Sequence, residues 1–370
     1  MYGVYSQQAS GGASVPEVLI IGGNNSRVFR STDDGLSFTT QIIYHPSAPS
    51  TATTWSKVFY CNGKFFISGV NGCMVSHDYG LTWVNIINEE MRSIVWNGTY
   101  YFAGIGYQIR RSADLATWTA LTPSGSLYQR GDDLCVDNNN NVYWSQNRNT
   151  SVSTYLSIQK CVAPYNSGNI SSINAGTPGA IPTGTNGRLY KTSNGLILST
   201  YNGNTQQRIY STTNYATLTA ASGSYQVTQS VLFDIVVGEY AYKFGPNTQS
   251  IRGRGTPVID VLSTTTSPNN LGVHFMDTNG TTFVARVSGT TTAVWTRDVT
   301  ANSTAWTSTN MGFNPLNVFY TGKSFLVMNG SNLRRSETGL GGWSTATNPF
   351  SNQLNNSANI NPASSYKPSY

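Results

Sequence analysis

Four short apolar segments follow one another between Trp55 and Ile87, and a tight polar turn separates each from the next. The Asn-Gly pair at positions 62–63 favours a two-residue hairpin, because both positions tolerate positive φ. A second Asn-Gly pair follows at 71–72, and a longer turn begins at Ser76. The pattern predicts a four-stranded antiparallel sheet with strands at Lys57–Cys61, Lys64–Gly69, Cys73–His77 and Trp83–Ile87.

The same unit recurs along the chain. Hairpin turns flanked by apolar segments lie at Asn62-Gly63, Asn97-Gly98, Asn139-Asn140, Asn194-Gly195, Gly238-Glu239, Asn279-Gly280 and Thr321-Gly322. Their spacing of about 40 residues indicates a repeated sheet module. A further unit, Glu17–Tyr44, has three recognisable strands. Two segments are candidates for its fourth strand: Tyr2–Ser6 and the C-terminal end of the chain.

One turn of the repeat carries a motif. Ser76, Asp78, Gly80, Thr82 and Trp83 form the pattern Ser-x-Asp-x-Gly-x-Thr-Trp. Less complete copies begin at Ser31, Ser112, Ser211 and Ser336. The pattern resembles the Asp-box, or bacterial neuraminidase repeat, of β-propellers. We expect the Asp to accept hydrogen bonds from backbone N–H groups two residues on, the Gly to permit the turn and the Trp to pack on its sheet.

The resemblance implies an all-β fold, a β-propeller of four-stranded antiparallel blades. We predict eight blades, with seven as the alternative; each blade buries its faces against its neighbours, and a closed circle leaves no outer face uncovered. In the family, the box lies at the periphery of the propeller, so we interpret it as structural. Arg30, Arg111 and Arg335, which each precede a box serine, receive the same interpretation.

We predict a single propeller domain over residues 1–348 and a polar C-terminal tail or arm over residues 349–370. The tail lacks periodicity, so we interpret it either as disordered or as an arm that orders against a neighbouring subunit. Tyr165–Gly187 is rich in Gly, Pro, Ser and Asn, and we predict a projecting loop there.

Composition narrows the choice of partner. Charged residues make up 10% of the chain, against about 25% in typical soluble domains. A surface of Asn, Ser, Thr, Gly and Tyr is common in extracellular and virion proteins. The net charge of +6 does not indicate nucleic-acid binding, because the 22 basic residues form no long run. No segment has the ~20 apolar residues of a membrane span, and Met1–Gln8 lacks the features of a signal peptide.

The four cysteines are Cys61, Cys73, Cys135 and Cys161. In the predicted sheet one strand separates Cys61 from Cys73, so the two lie about 9–10 Å apart. A disulfide needs a shorter separation, and we expect buried free thiols. No CxxC pair exists, and His45, His77 and His274 are isolated, so no metal site is predicted.

Few side chains remain for catalysis. Among the acids, Asp33, Asp78 and Asp114 belong to boxes, and Asp137 and Asp277 lie beside hairpin turns. Propeller sialidases, whose boxes are similar, use an arginine triad, a Tyr with a Glu partner and an acid Asp. Arg92, Arg188, Arg252, Arg254 and Arg286 are available here, but the Arg-Ile-Pro signature of that family is absent. We therefore predict no enzymatic activity, no catalytic, cofactor-binding or metal-binding residue and no cofactor.

Aromatic residues are dense between positions 100 and 165, where Tyr100, Tyr101, Tyr128, Tyr143, Trp144, Tyr155 and Tyr165 occur. Tyrosine suits contacts with glycans or proteins, because it combines apolar area with a hydroxyl group. Alternating packing within strands is the interpretation that we favour for each of them.

In general character the chain resembles propeller components of bacteriophage tails. The resemblance implies a non-enzymatic virion protein of the nozzle, fibre or receptor-contacting type, made in the host cytoplasm. Its expected partners are other tail proteins within a multimeric assembly, together with a host-surface glycan or receptor. The alternatives are a sialidase-like glycan-processing enzyme and a soluble propeller assembly factor.

Overall fold

The computed structural model consists of short antiparallel strands. It describes residues 18–49, 52–106, 108–121, 133–149, 154–174, 186–192, 195–201, 209–212, 215, 219–220, 233–237, 240–244, 250–254, 259–262, 273–287, 292–298, 306–350 and 363–366. Within these ranges the one helical segment is a 3-10 turn at Ser167–Asn169.

The strands, in chain order, are β1 Val18–Gly22, β2 Arg27–Ser31, β3 Thr39–Ile42, β4 Lys57–Cys61, β5 Lys64–Gly69, β6 Gly72–Ser76, β7 Val84–Ile87, β8 Met91–Trp96, β9 Tyr101–Ile105, β10 Gln108–Ser112, β11 Thr119–Leu121, β12 Leu134–Val136, β13 Val142–Asn149, β14 Thr154–Cys161, β15 Ile170–Asn174 and β16 Asn186–Thr192. They continue with β17 Gly195–Tyr201, β18 Ile209–Thr212, β19 Thr219–Ala220, β20 Phe233–Val237, β21 Tyr240–Phe244, β22 Ser250–Arg254, β23 Ile259–Leu262, β24 Val273–Thr278, β25 Thr282–Val287, β26 Ala293–Asp298, β27 Thr307–Asn310, β28 Asn317–Tyr320, β29 Phe325–Met328, β30 Leu333–Ser336 and β31 Ala363–Tyr366.

The described strands form eight antiparallel sheets in two compact units. One unit, Met1–Glu90 with Thr265–Tyr370, contains the sheets β3-β2-β1-β31, β4-β5-β6-β7, β24-β25-β26-β27 and β28-β29-β30. The other unit, Met91–Thr264, contains β11-β10-β9-β8, β12-β13-β14-β15, β16-β17-β18-β19 and β20-β21-β22-β23. In each sheet, strands that are consecutive in sequence lie side by side, apart from the pairing of β1 with β31.

The pairing of β31 with β1 joins the two ends of the described chain. Val18 is opposite Tyr366, and Ile21 is opposite Ala363. The C-terminal end therefore supplies the fourth strand of this sheet; the other candidate, Tyr2–Ser6, lies outside the described residues. Residues 363–366 thus belong to a sheet of this chain, although they fall within the predicted tail or arm. The domain boundary at residue 348 stays a prediction.

The turn signals located most strands correctly. The predicted bounds of β4 and β5 are confirmed, and Asn62 and Gly63 between them have φ values of 47° and 74°. One expectation is wrong: Tyr165–Gly187 is not a single loop, because Ile170–Asn174 forms β15 and pairs with β14. The sequence Ile-Ser-Ser-Ile lacks the strict alternation of a half-buried strand, and for that reason it did not stand out.

Strand β1 shows how the cores of the first unit are built. All five of its residues are buried. Val18 and Ile20 share a core cluster with Trp55, which precedes β4, and with Val58, Phe65, Ile67 and Met74 of the following sheet. Leu19 and Ile21 face the opposite way, and they pack against Phe319, Leu326, Met328 and Leu333. A strand whose two faces are both buried reads as a continuous apolar run, because successive side chains point to opposite faces.

The same arrangement occurs within the second unit, at β13. Val142 and Trp144 belong to a cluster with Phe102 and Ile109 of the preceding sheet. Tyr143, on the other face, packs with side chains of the next sheet, among them Leu189, Leu196 and Leu198. Each fully buried side chain of this size stabilises the fold by about 1.5–3 kcal/mol.

All four cysteines are buried and free. Cys61 on β4 and Cys73 on β6 have β5 between them, as the sequence predicts. Burial raises the pKa of Cys61 to about 12 and that of Cys161 to about 11, so these thiols stay protonated at neutral pH. They act as small apolar core residues.

Candidate functional site

The aspartates beside hairpin turns are used structurally. Asp137 is 5% exposed, and it accepts hydrogen bonds from the backbone N–H groups of Asn139 and Asn141 at 2.8 and 2.9 Å. The hydroxyl of Tyr143 donates to its other oxygen at 2.7 Å. Burial alone would raise the pKa of Asp137, but these hydrogen bonds hold it below its usual range. The carboxylate therefore anchors the turn between β12 and β13.

Asp277 connects two neighbouring sheets of the first unit. One of its oxygens accepts from the N–H of Thr278 at 2.8 Å, within its own sheet. The other accepts from the N–H of Tyr320 on β28, also at 2.8 Å. Both oxygens are thus bonded to backbone donors, an arrangement that holds two elements together.

The dense aromatic segment is mostly core. Tyr101, Tyr143, Trp144 and Tyr165 are all buried. Packing within strands is confirmed for Tyr101 on β9 and for Tyr143 and Trp144 on β13, whereas Tyr165 is buried in a turn after β14. Tyr100 is half-buried beneath the Arg111 guanidinium, whose carbon lies 4.8 Å from the ring centre. Tyr128 and the side chain of Tyr155 lie outside the described residues.

The remaining candidates for chemistry do not form a described cluster. The side chains of Arg188, Arg252 and Arg254 lie outside the described residues. Arg92 and Arg286 are half-buried in different units, and burial lowers the pKa of Arg286. Among the described residues, no group of three His, Cys, Asp or Glu side chains is placed to hold a metal ion.

His45 is fully buried, and both of its ring nitrogens have partners. One lies 2.7 Å from the Ser47 hydroxyl, and the other lies 2.8 Å from the Asn85 side-chain oxygen. These contacts fasten the segment after β3 to β7, so we assign His45 a structural role.

Four box turns of the described chain share one hydrogen bond, in which the box serine hydroxyl accepts from a backbone N–H across the turn. The pairs are Ser31 with Gly35 at 2.9 Å, Ser76 with Gly80 at 2.7 Å, Ser112 with Leu115 at 2.8 Å and Ser336 with Gly339 at 3.0 Å. The serines are at most 3% exposed. The turn is therefore held from its buried side.

The box aspartate holds the turn from its outer side. Asp78 accepts from the N–H groups of Leu81 and Thr82 at 3.1 and 2.8 Å, and from the Thr82 hydroxyl at 2.6 Å. These donors lie three and four residues on, so the expectation of two residues is wrong for this copy. The complete copy has three residues between its Asp and its Thr, which is one more than the copy at Asp114 has. In the shorter copy, Asp114 accepts from N–H groups two and three residues on.

Each box glycine lies directly against a neighbouring sheet. Gly80 has a φ of 82°, and a Cβ placed on it would come within 2.5 Å of the Ile20 side chain on β1. A Cβ on Gly339 would lie 2.7 Å from Val284 on β25. The glycine is thus required both for the turn and for the close approach of two sheets.

The arginine before the box serine reaches the equivalent turn of the next sheet. Arg30 donates to the backbone oxygen of Tyr79 at 2.8 Å. Arg335 donates to the carboxylate of Asp34 from two nitrogens, at 3.1 and 2.8 Å. In the second unit, Arg111 donates to the backbone oxygen of Pro164 at 2.9 Å. These contacts agree with the structural role that the sequence indicates.

The outer surface of the boxes carries exposed leucines. Leu36, Leu81 and Leu340 are 70%, 58% and 48% exposed, and each directly follows a box glycine. We call these three residues the leucine row. Its members lie on three sheets of the first unit, β28-β29-β30, β3-β2-β1-β31 and β4-β5-β6-β7. Sequence reasoning missed the row, although the repeated Gly-Leu pair was visible.

Apolar side chains also occur on the adjacent outer strands. Ile42 on β3 is 54% exposed, and Val84 on β7 is 57% exposed. Exposed apolar groups held on rigid turns suit contact with another protein, and this surface is the candidate site.

Comparison with known proteins identifies the fold. No protein-family model and no curated protein sequence matches the chain. The chain is similar in structure to AztD from Citrobacter koseri, with a TM-score of 0.58, 9% identity and coverage of 96% of this chain and 100% of that one. BamB from Moraxella catarrhalis is similar with a TM-score of 0.54 and 11% identity, and the match covers 84% of this chain and 90% of that one. The computationally designed Ika8 protein has a TM-score of 0.52 and 9% identity, with coverage of 88% of this chain and 95% of that one.

AztD and BamB are β-propellers, and the protein therefore has a β-propeller fold. At such low identity the likeness extends to the fold alone. None of the described helical residues forms a segment that is long and apolar enough to cross a membrane.

Replacing Gly80 with alanine is expected to destabilise the protein more than replacing Gly63. Both glycines have positive φ, but only position 80 lacks room for a Cβ; position 63 has no atom within 4 Å. We expect Gly63→Ala to lower the free energy of unfolding by about 1 kcal/mol and Gly80→Ala to lower it by about 2–4 kcal/mol. Urea unfolding of both variants measures the difference. Equal losses would contradict close packing at the box.

The box aspartates are expected to make stability sensitive to acid. Burial acts to raise the pKa of Asp78, but hydrogen bonds from Thr82, Ser76 and Leu81 outweigh it and lower that pKa; Asp33 behaves in the same way. A lowered carboxyl pKa contributes stability above the unfolded-state value of about 3.9, and this contribution is lost as the pH falls through the folded-state pKa.

We therefore expect the Asp33→Asn, Asp78→Asn double variant to lose about 0.5–2 kcal/mol per site at pH 7. Its stability should also fall less steeply than that of the natural chain as the pH drops from about 4 to 2. Urea unfolding across this range checks both effects. Glu89→Gln, which removes an exposed carboxylate outside the boxes, serves as the control. If the stability of the natural chain, the double variant and Glu89→Gln depends on pH with the same slope, the box aspartates are not the source of the acid sensitivity.

Proposed function

We propose that the protein is a non-enzymatic structural component of a bacteriophage tail, which joins other tail proteins through the leucine row. The observation that carries this proposal is the recurrence of one exposed leucine at the same box position on three sheets. A host-surface glycan or receptor is a further partner for a tail component of this kind.

Rigidity of the row favours protein binding. The turn that carries Leu81 is held by the Ser76 hydroxyl, the Asp78 carboxylate and the close contact of Gly80 with Ile20. A side chain that is already fixed by its turn loses little conformational freedom when a partner covers it. Contacts between such pre-ordered surfaces suit a permanent assembly.

The charges near the row are already engaged. The Asp33 and Asp78 carboxylates accept hydrogen bonds within their own turns, while Arg30 and Arg335 donate to the neighbouring turns. Glu337 is the exposed carboxylate of the turn that carries Leu340, and the three leucines add apolar area beside it. Exposed leucines beside arginines that already have acceptors favour a protein partner over nucleic acid.

The described sheets also support the predicted blade number. Seven of them have four strands. The three-stranded sheet has a bridge between Leu333 and Thr347 in the place of a fourth strand. We propose that each sheet is one blade of an eight-bladed propeller, with β31 completing the blade that contains β1.

Imaging of the isolated protein tests the blade number. We expect electron-microscopy averages viewed along the propeller axis to show eight blades, because eight sheets repeat the same strand order. Averages with seven blades, or with two separate bodies, would contradict a single eight-bladed propeller. The same images would reveal any higher-order multimer.

Incorporation into phage particles tests the assembly role. We expect mass spectrometry to detect the chain in purified particles of the phage that encodes it. The triple variant Leu36→Asp, Leu81→Asp, Leu340→Asp should be depleted from particles by about tenfold or more, because charged groups replace the apolar contacts. Its thermal midpoint should change little, since exposed substitutions usually alter stability by less than about 0.5 kcal/mol.

Val70→Asp is the matched control, because Val70 is 76% exposed and lies in the turn between β5 and β6. This variant should enter particles normally. Absence of the natural chain from particles would remove the tail proposal, and equal incorporation of the triple variant would remove the leucine row as the contact. Turnover of a fluorogenic sialoside would instead favour a glycan-processing enzyme.

A further inference from the structure

The sheet β3-β2-β1-β31 begins with the first described strand, the sheet β28-β29-β30 directly precedes β31 among the described strands, and the two sheets pack together within the first unit. Leu19, Ile21 and Phe29 of the former share a core cluster with side chains of the latter, among them Leu326 and Met328. We call this contact the terminal seam. At the terminal seam, Arg335 on β30 also contacts the box turn that follows β2.

The box contact at the terminal seam differs chemically from its counterpart. Asp34 and Tyr79 occupy the same box position, and both have left-handed backbones, with φ values of 58° and 57°. The arginine of the neighbouring sheet reaches a backbone oxygen at Tyr79, whereas at Asp34 it reaches a side-chain carboxylate. The seam therefore has an ion pair in the place of a neutral backbone contact.

The ion pair is largely withdrawn from solvent. The side chains of Asp34 and Arg335 are 7% and 20% exposed, and their closest nitrogen and oxygen atoms are 2.8 Å apart. The Thr321 hydroxyl, in the hairpin turn of the last sheet, donates to the second oxygen of Asp34. Glu337, which is 74% exposed, lies 3.4 Å from the same guanidinium.

Asp34 thus bonds both to strand β30 and to the hairpin turn between β28 and β29 of the opposite sheet. If Asp34 loses its charge, Glu337 is the one charged partner that Arg335 keeps among the described residues, and Thr321 loses its anionic acceptor. Removal of one member of a buried pair is strongly destabilising, because the other charge is left uncompensated. An exposed pair such as Arg335 with Glu337 contributes little.

We propose that the Asp34–Arg335 pair is an electrostatic latch that holds the terminal seam. When the pair is broken, the first and last sheets separate locally, while the contact between β1 and the following sheet persists. The latch supplements the apolar core that the two sheets share at the seam.

Hydrogen exchange monitored by mass spectrometry on the full chain tests the latch. In Asp34→Asn, we expect amide exchange in peptides covering β1 and β29 to accelerate by about tenfold or more, because a buried charge loses its partner. Peptides covering β5 should be unchanged. Arg335→Gln should give the same pattern, and the double variant should exchange no faster than either single variant, because the two residues act as one unit.

Two controls bracket the effect. Arg30→Gln removes the neutral counterpart of the contact, and it should accelerate exchange by only about threefold near its own sheets. Glu337→Gln should have almost no effect. If Asp34→Asn does not fold, Arg335→Lys provides the second variant, since it keeps the charge but removes the paired donors, and it should give an intermediate rate.

Multiplication of the single effects in the double variant would overturn the proposal, because it would show that the residues act independently. Equal acceleration in β5 would also overturn it, because the opening would then be global. A rate for Arg335→Lys that matches the natural chain would show that the paired donors of the guanidinium are not required, and it would overturn the latch as described.

Discussion

Burial of the central strands of a sheet, such as β1 and β13, on both of their faces is the constraint on which the described structure depends. In β1, Val18 and Ile20 pack against one neighbouring sheet, and Leu19 and Ile21 pack against another. Such a strand gives up contact with water on both sides, so it is stable only between two further sheets. An isolated four-stranded sheet of this sequence would expose both faces of the strand, and with them all four of these side chains. The repeat is therefore a requirement of the fold, because each module completes the core of the next.

The box turn meets a second requirement, which is to fix the spacing of adjacent sheets. Apolar packing is non-directional and does not by itself set a register between sheets. The box provides direction: Gly80 brings its backbone against Ile20, while Arg30 donates to the carbonyl of Tyr79. Each contact joins one sheet to the next through groups of fixed geometry. The small number of charged residues is consistent with this design, since several of them serve as connectors.

The sequence was most informative where a local signal had a single physical meaning. The Asn-Gly turn at 62–63 located β4 and β5 because few other residues accept positive φ at both positions. The sequence was not informative where an element is defined by its contacts with residues distant in the chain. Strand β15 has no strict alternation, and its pairing with β14 becomes visible only in the structure. The reach of Arg335 to Asp34 spans most of the chain, so no local pattern could reveal it.

The leucine row is confined to copies of the box that keep the glycine. In the shortened copy a leucine takes the turn position itself. In copies that keep the glycine, this residue takes a left-handed turn position against the neighbouring sheet, and the next residue, such as Leu36 or Leu81, projects into solvent. In the shortened copy Leu115 occupies the turn position, with a φ of 67°, and it is only 3% exposed. The same residue type is therefore core or surface according to its place relative to the turn. An apolar surface that depends on retaining the glycine can be lost from one module without damage to the core of that module.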